Sequence, residues 1–140
     1  MLRAMSGFMF QASEDHYDLR VQPQPGSVIH WRAQRYRSLM MPGKIVFFWL
    51  AGDSPYRGLH GWGALTSSPY EHGDHYRVDV RFDHRIVPHV PADAVRADPI
   101  LRDHQIFTLR AGSNFLLEDD EIQALVNLIP VEQQPALTHS

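Results

Sequence analysis

Tryptophan side chains give this sequence its clearest binding chemistry. Three of them, Trp31, Trp49 and Trp62, fall in the central part of a chain of 140 residues. Aromatic rings stack on nucleobases, at about 1–3 kcal/mol per base, and they also form walls that bind methyl groups and cations. Trp49 lies in the most apolar segment, which favours a core position, whereas Trp31 adjoins an arginine-rich segment. Trp31 is therefore the strongest candidate for a pocket wall, against the alternative that all three rings are core residues.

The arginine-rich segment places Arg32, Arg35 and Arg37 directly after Trp31. The formal net charge is −3 at pH 7, but basic residues exceed acidic ones in the first half of the chain and the reverse holds in the second. Such an asymmetry can steer a polyanion to one face of a protein. A solvated arginine-rich surface is the alternative, and charge alone does not decide between the two.

Nine histidines raise the question of a metal site. None of them belongs to a HExxH motif or to a histidine pair with a carboxylate at ligand spacing, and His72 and His75 around Asp74 form at most a weak surface site. The absence of cysteine excludes disulfides, thiolate nucleophiles and cysteine-ligated zinc. The sequence also lacks the GxSxG nucleophile motif and the glycine-rich phosphate-binding loops. We therefore expect no catalytic residues, no metal site and no cofactor.

The elements that must position these residues are mostly short strands. Strand patterns cover residues 7–11, 28–31, 45–50, 58–65 and 75–82. The uninterrupted apolar run of the third segment predicts a strand buried on both faces, and glycines in the fourth predict bulges or close backbone approach. The alternation of apolar and polar residues in the fifth predicts a half-buried strand.

Helical patterns are fewer. Residues 16–20 and 92–96 predict one short helix each. Ile122, Leu125 and Val126 have the spacing of an amphipathic C-terminal helix that begins with acidic residues and ends at Pro130. We expect one α+β domain over residues 1–130, with about five or six strands closing into a small barrel flanked by short helices, and a flexible tail over residues 131–140. No segment has the length of a membrane helix, and the expected location is the cytoplasm.

Six short segments, in order, resemble the EVE domain family, which is PUA-like and related to YTH and ASCH domains. They are Phe10-Gln11-Ala12-Ser13 with Tyr17-Asp18, Ile29-His30-Trp31-Arg32, Pro42-Gly43 to Gly52, Gly58 to Gly63, Tyr76 to Val80, and Gly112 to Leu117. The resemblance covers about residues 7–129 and implies a β-barrel with a pocket for one nucleobase. YTH domains hold a methylated adenine in an aromatic cage, and EVE domains of modification-dependent restriction systems accept a flipped, modified cytosine.

The resemblance also implies roles for single residues. Trp31 matches a cage wall, Tyr70 lies where a second cage aromatic is common, Gln11 and Ser13 match the residues that contact the base edge, and Asn114 matches the polar residue before the last helix. Trp49 is a further pocket candidate. This sequence departs from the family pattern at Lys44, at Ser13-Glu14 and at Leu116, where the family commonly has Asp, Asn-Pro and Pro.

The resulting hypothesis is a non-catalytic reader that binds DNA or RNA through a modified, flipped base. Arg32, Arg35 and Arg37 would hold the flanking phosphates, and an effector protein would act in trans. One alternative is a regulatory module whose pocket binds a small heteroaromatic molecule. Another is a small metal-dependent hydrolase or nuclease that uses the loop of His72, Asp74 and His75.

Overall fold

Strands account for most of the chain in the computed structural model, which describes residues 6–109 and 112–137. Within these ranges there are seven strands: β1 Gly7–Ser13, β2 Val28–Arg32, β3 Ile45–Ala51, β4 Gly58–Leu65, β5 Tyr70–His72, β6 His75–Pro91 and β7 Asn114–Leu117. Two α-helices follow the longest and the last strand, α1 Ala92–Ala97 and α2 Asp119–Leu128. Short 3-10 turns lie at Arg37–Leu39, Gln105–Phe107 and Val131–Gln133.

The strands form one mixed sheet in the order β2-β6-β4-β3-β1-β7, with β5 added to β6. Only β1 and β3 run parallel; the other pairs are antiparallel. The sheet curves into a half-barrel whose two edge strands are β2 and β7. This arrangement confirms the expected α+β, PUA-like fold with short flanking helices, although the sheet is a half-barrel and does not close.

Close backbone approach explains the glycines of β4. Its pairing with β6 shifts register between Leu59 and Gly61 and again between Trp62 and Gly63. A Cβ atom at position 63 would lie 1.8 Å from the carbonyl oxygen of Arg81. The bulges predicted from the glycines are therefore present, and they allow β4 to stay paired with β6 from Gly58 to Leu65.

The apolar run of β3 is buried on both faces, as predicted, because the sheet separates two hydrophobic clusters. Val46, Phe48 and Leu50 belong to the barrel-side cluster, whereas Phe47 and Trp49 belong to the helix-side cluster. The barrel-side cluster includes Phe8, Phe10, Trp31, Phe48, Val78, Val80 and Phe82. The helix-side cluster includes Met9, Phe47, Trp49, Leu59 and the apolar face of α2 with Ile122, Leu125 and Val126.

Two expectations of local structure are wrong. Residues 16–20 form turns and no helix, because the Asp18 carboxylate accepts hydrogen bonds from the backbone N–H and the guanidinium of Arg20 and so competes with helix formation. The second is the flexible tail over residues 131–140: residues 131–133 form a 3-10 turn that bonds the sheet, and residues 138–140 lie outside the described ranges. The backbone carbonyl of Gln133 accepts a hydrogen bond from Trp62 Nε1 at 2.8 Å. The side-chain amide of Gln133 accepts from the N–H of Val87 and donates to the Val87 carbonyl.

None of the described helices combines the length and the apolar character needed to cross a membrane.

Candidate functional site

A concavity of about 980 Å³ lies on the open side of edge strand β2. Its walls come from the end of β1 and the turn after it, from β2 along its whole length, from the start of β6 and from the residue before β7. Gln11, Ser13 and Trp31, three residues that the sequence assigns to a base pocket, meet in this space.

The concavity lies where the sheet stays open, between edge strand β2 and the end of β1 that extends beyond its pairing with β7. Ala33 N–H donates to the Tyr76 carbonyl, and Phe82 N–H donates to the Ser27 carbonyl, at 2.9 Å each. In an antiparallel ladder such bonded pairs alternate, so the odd-numbered residues of this segment bond β6 and the backbone of His30 faces the open side. No described residue bonds the N–H or C=O of His30, and these groups remain available in the wall of the concavity.

Trp31 forms the floor of the concavity and is also part of the core. Its ring stacks on Phe10 with centroids 5.5 Å apart and meets the edges of Tyr17 and Phe48 at 5.9 and 5.7 Å. Only 9% of the residue is exposed. A free-standing cage wall would be more exposed, so Trp31 supports both the fold and the site.

Tyr17 is the aromatic residue that brings a second ring to the concavity. It is half-buried, and burial raises the pKa of its hydroxyl, which the charge of Arg85 only partly opposes. The sequence shows Tyr17 only as part of a short motif. Its position against Trp31 depends on the turns that replace the expected helix.

Gln11 and Ser13 present polar atoms to the same space. The Gln11 Nε2 donates to the carbonyl of Gly112 at 3.0 Å, which fixes the amide and leaves Oε1 as an acceptor that no described residue uses. The Ser13 hydroxyl lies 2.7 Å from Nδ1 of His16. The side of the concavity near β1 can therefore accept hydrogen bonds from a ligand.

Asn114 and Trp49 do not line this concavity, contrary to the sequence-based assignment. Asn114 is fully buried, and its amide accepts from Gln34 N–H at 2.7 Å and donates to the Arg32 carbonyl at 2.9 Å. It joins β7 to the segment after β2, where no strand ladder exists. Trp49 is fully buried in the helix-side cluster, edge-on to Phe107 at 5.7 Å.

Tyr70 does not line the concavity but binds a residue beside it. Its hydroxyl donates to the Asp79 carboxylate, which also bonds His30 Nδ1 at 2.7 Å. Burial acts to raise the pKa of Asp79, but the hydrogen bonds from Tyr70 and His30 outweigh it and hold that pKa below its usual value. The same bond to Asp79 raises the pKa of Tyr70. This network orients His30, which does line the concavity.

The three arginines of the predicted phosphate contact have different surroundings. Arg32 is exposed at the rim of the concavity. The guanidinium of Arg35 bonds the Tyr36 hydroxyl at 2.8 Å and Gln105 Oε1 at 3.1 Å, and that of Arg37 lies 4.2 Å from the centre of the Tyr76 ring. Arg77, which sequence reasoning missed, lines the concavity next to Arg32. Only the pairing of β2 with β6 reveals it.

Possible metal ligands gather at one place in the described chain, at Glu118, Asp120 and Glu121. Glu118 and Glu121 form the capping box of α2, so these carboxylates have a structural role. The rings of His72 and His75 are 5.9 Å apart, but with Asp74 they do not form a cluster of three ligand atoms.

Comparison with solved structures assigns the fold. Human THYN1 protein, solved with 5-methylcytosine-containing DNA, has a TM-score of 0.68 and 17% identity, over 88% of this chain and 96% of that one. A protein from Rhodopseudomonas palustris has a TM-score of 0.72 and 16% identity, over 88% of this chain and 92% of that one. The DUF55 domain of human thymocyte nuclear protein 1 has a TM-score of 0.68 and 15% identity, over 87% of this chain and 97% of that one.

The chain shares the PUA-like, α+β fold of these structures. The fold that the sequence resemblance implies is thereby confirmed. No family model matches the sequence, and no curated protein matches it.

Proposed function

We propose that this chain is an EVE-type reader that binds nucleic acid by taking one modified base out of a strand into the concavity over Trp31. The observation that carries the proposal is the concavity between edge strand β2 and the end of β1, with an aromatic floor and unsatisfied polar groups in its walls. The human THYN1 protein of the same fold, solved with 5-methylcytosine-containing DNA, supports this choice of ligand.

Aromatic contact supplies the affinity for the base. Extruding a base from a stack costs a few kcal/mol, and stacking on an aromatic side chain returns about 1–3 kcal/mol. The floor ring of Trp31 and the mouth ring of Tyr17 meet at right angles, so an entering base can lie against one and touch the edge of the other. The volume of about 980 Å³ is ample for a base that carries an added methyl group.

Fixed polar groups supply the preference for one edge of the base. Gln11 Oε1 is held as an acceptor by the bond from Nε2 to Gly112, and the His30 backbone adds one donor and one acceptor. Cytosine and adenine carry an exocyclic amino donor, which thymine and uracil lack. The site therefore favours an amino-bearing base. A chain with these features acts by binding, and an effector in trans would carry out any reaction.

The test is a titration of the purified protein with matched fluorescent oligonucleotides. Single-stranded and duplex forms carry cytosine, 5-methylcytosine, adenine, N6-methyladenine or thymine at one position. We expect one modified amino-bearing base to bind more tightly than its unmodified form and than thymine. Equal affinity for every oligonucleotide would refute the reader. Tight binding of the free nucleoside without binding of any oligonucleotide would favour the small-molecule module instead.

A further inference from the structure

Two arginines face each other across the strands at the mouth of the concavity. Arg32 of β2 is directly opposite Arg77 of β6 in the register of the ladder. Their neighbours in the bonded positions, Ala33 and Tyr76, exchange a backbone hydrogen bond, so Arg32 and Arg77 form a non-hydrogen-bonded pair. The Cα atoms of such pairs are only about 4.5 Å apart and the side chains leave the same face of the sheet.

Neither guanidinium has a carboxylate partner among the described residues. The nearest acid on that face of β6, Asp79, is already bonded to His30 and Tyr70. By contrast, Arg20 and Arg81 elsewhere on the surface pair with Asp18 and Asp83. Like charges directly opposite each other destabilise a sheet, so this juxtaposition costs stability in the free protein.

A bound anion removes that cost. Guanidinium groups match phosphate oxygens with two parallel N–H donors, and two of them can enclose one phosphate. Both side chains lie at the rim, while Trp31 on the opposite face of β2 forms the floor. A base that reaches Trp31 through the open edge of β2 would leave its sugar and phosphate at this rim.

We propose that Arg32 and Arg77 form a phosphate clamp that binds the phosphodiester adjoining the inserted base. This inference rests on the proposed function and deepens it, because it assigns the anchor of the nucleic-acid backbone to one cross-strand pair. Arg35 and Arg37 contribute less, because contacts within the protein hold their guanidinium groups. The clamp binds modified and unmodified strands alike, since a phosphate carries no sequence information.

The experiment compares R32Q and R77Q with the matched charge control R102Q, since Arg102 is exposed and outside the concavity. Oligonucleotides with and without the preferred modified base are titrated at several salt concentrations. We expect each clamp variant to weaken binding of both oligonucleotides by the same factor and to reduce the salt slope by about 1. R102Q should retain the parent slope.

A thermal melt without ligand adds a readout that does not depend on nucleic acid. Because substitution relieves repulsion, R32Q and R77Q should melt no lower than the parent at low salt, which also shows that both fold. Parent-like salt slopes in both variants, with the preference for a modified base intact, overturn the clamp and leave the reader standing. Reduced slopes in a protein that shows no preference for any base overturn the reader and, with it, the link to an inserted base, and leave Arg32 and Arg77 as a general phosphate-binding pair.

Discussion

Trp31 and Trp49 lie in strands of the same sheet, but their surroundings differ. Trp49 sits on central strand β3, with neighbours on both sides and helices over its face, and is fully buried. Trp31 sits on edge strand β2, where one side of the strand has no partner strand and the ring forms the floor of a concavity. Position in the sheet, and not residue type, decides which ring a ligand can reach.

The largest expected effect is on stability at Trp49. Trp49→Ala should lower the free energy of unfolding by about 3–5 kcal/mol, measured by urea denaturation, because the enclosed ring leaves a cavity. The folded fraction should bind oligonucleotide as the parent does. Trp49→Phe is the matched variant and should cost less, since it also removes an indole N–H that has no partner among the described residues. Loss of binding in folded Trp49→Phe would contradict the division between the two rings.

Trp31→Ala should affect both properties. We expect the affinity for the preferred oligonucleotide to fall by about 1–3 kcal/mol, the value of one base stack. Stability should also fall, but less than for Trp49→Ala, because the concavity already borders the ring. Trp62→Ala is the control for losing a partly buried tryptophan outside the concavity: it should destabilise the protein and leave the affinity unchanged. A folded Trp31→Ala protein with parent affinity would place the base elsewhere.

Gln11→Ala tests whether Gln11 recognises the amino-bearing edge of the base. Loss of the Oε1 acceptor should reduce the preference for an amino-bearing base over thymine by about 0.5–1.5 kcal/mol, the net value of one hydrogen bond. The measurement is the ratio of the two dissociation constants. Gln24→Ala, at an exposed position outside the concavity, should retain the parent ratio. An unchanged ratio in Gln11→Ala would mean that Gln11 does not read the base.

The smallest expected effect is on the pH dependence of stability. It concerns two histidines that differ in burial, as the two tryptophans do. His30 is exposed in the wall of the concavity. His60 on β4 is only 3% exposed, bonds the Tyr56 carbonyl through Nε2 and stacks on His89 with ring centroids 4.6 Å apart. Burial lowers the pKa of His60, so the folded protein holds its neutral form. The unfolded chain then binds more protons once the pH falls below about 6.5, and stability decreases.

Unfolding free energies at about pH 7.5 and about pH 5.5 measure this linkage. We expect the loss on acidification to be smaller in His60→Gln than in the parent. His72→Gln, at an exposed position, should lose as much as the parent. The same loss in His60→Gln and the parent would show that His60 does not contribute.

Local sequence was enough to predict most strands and the last helix. Neighbouring residues indicate the environment of each of these elements. The apolar run of β3 indicates burial on both faces, the glycines of β4 indicate bulges, and the alternation at the start of β6 indicates burial on one face. The spacing of Ile122 and Leu125 indicates the buried face of α2. The sequence also indicated Trp31 as a pocket candidate, because a bulky ring adjoins a run of arginines, and the structure places Trp31 in the lining of the concavity.

Tertiary structure alone decided how these elements meet. The edge position of β2, the juxtaposition of Arg32 with Arg77 and the bridge from Asn114 to the segment after β2 all arise from pairing between distant parts of the chain. The same is true of the docking of Gln133 on Trp62. A residue type and its neighbours encode the tendency to form a strand, but they do not encode the partner strand or the register, because those depend on the total burial achieved by the whole sheet.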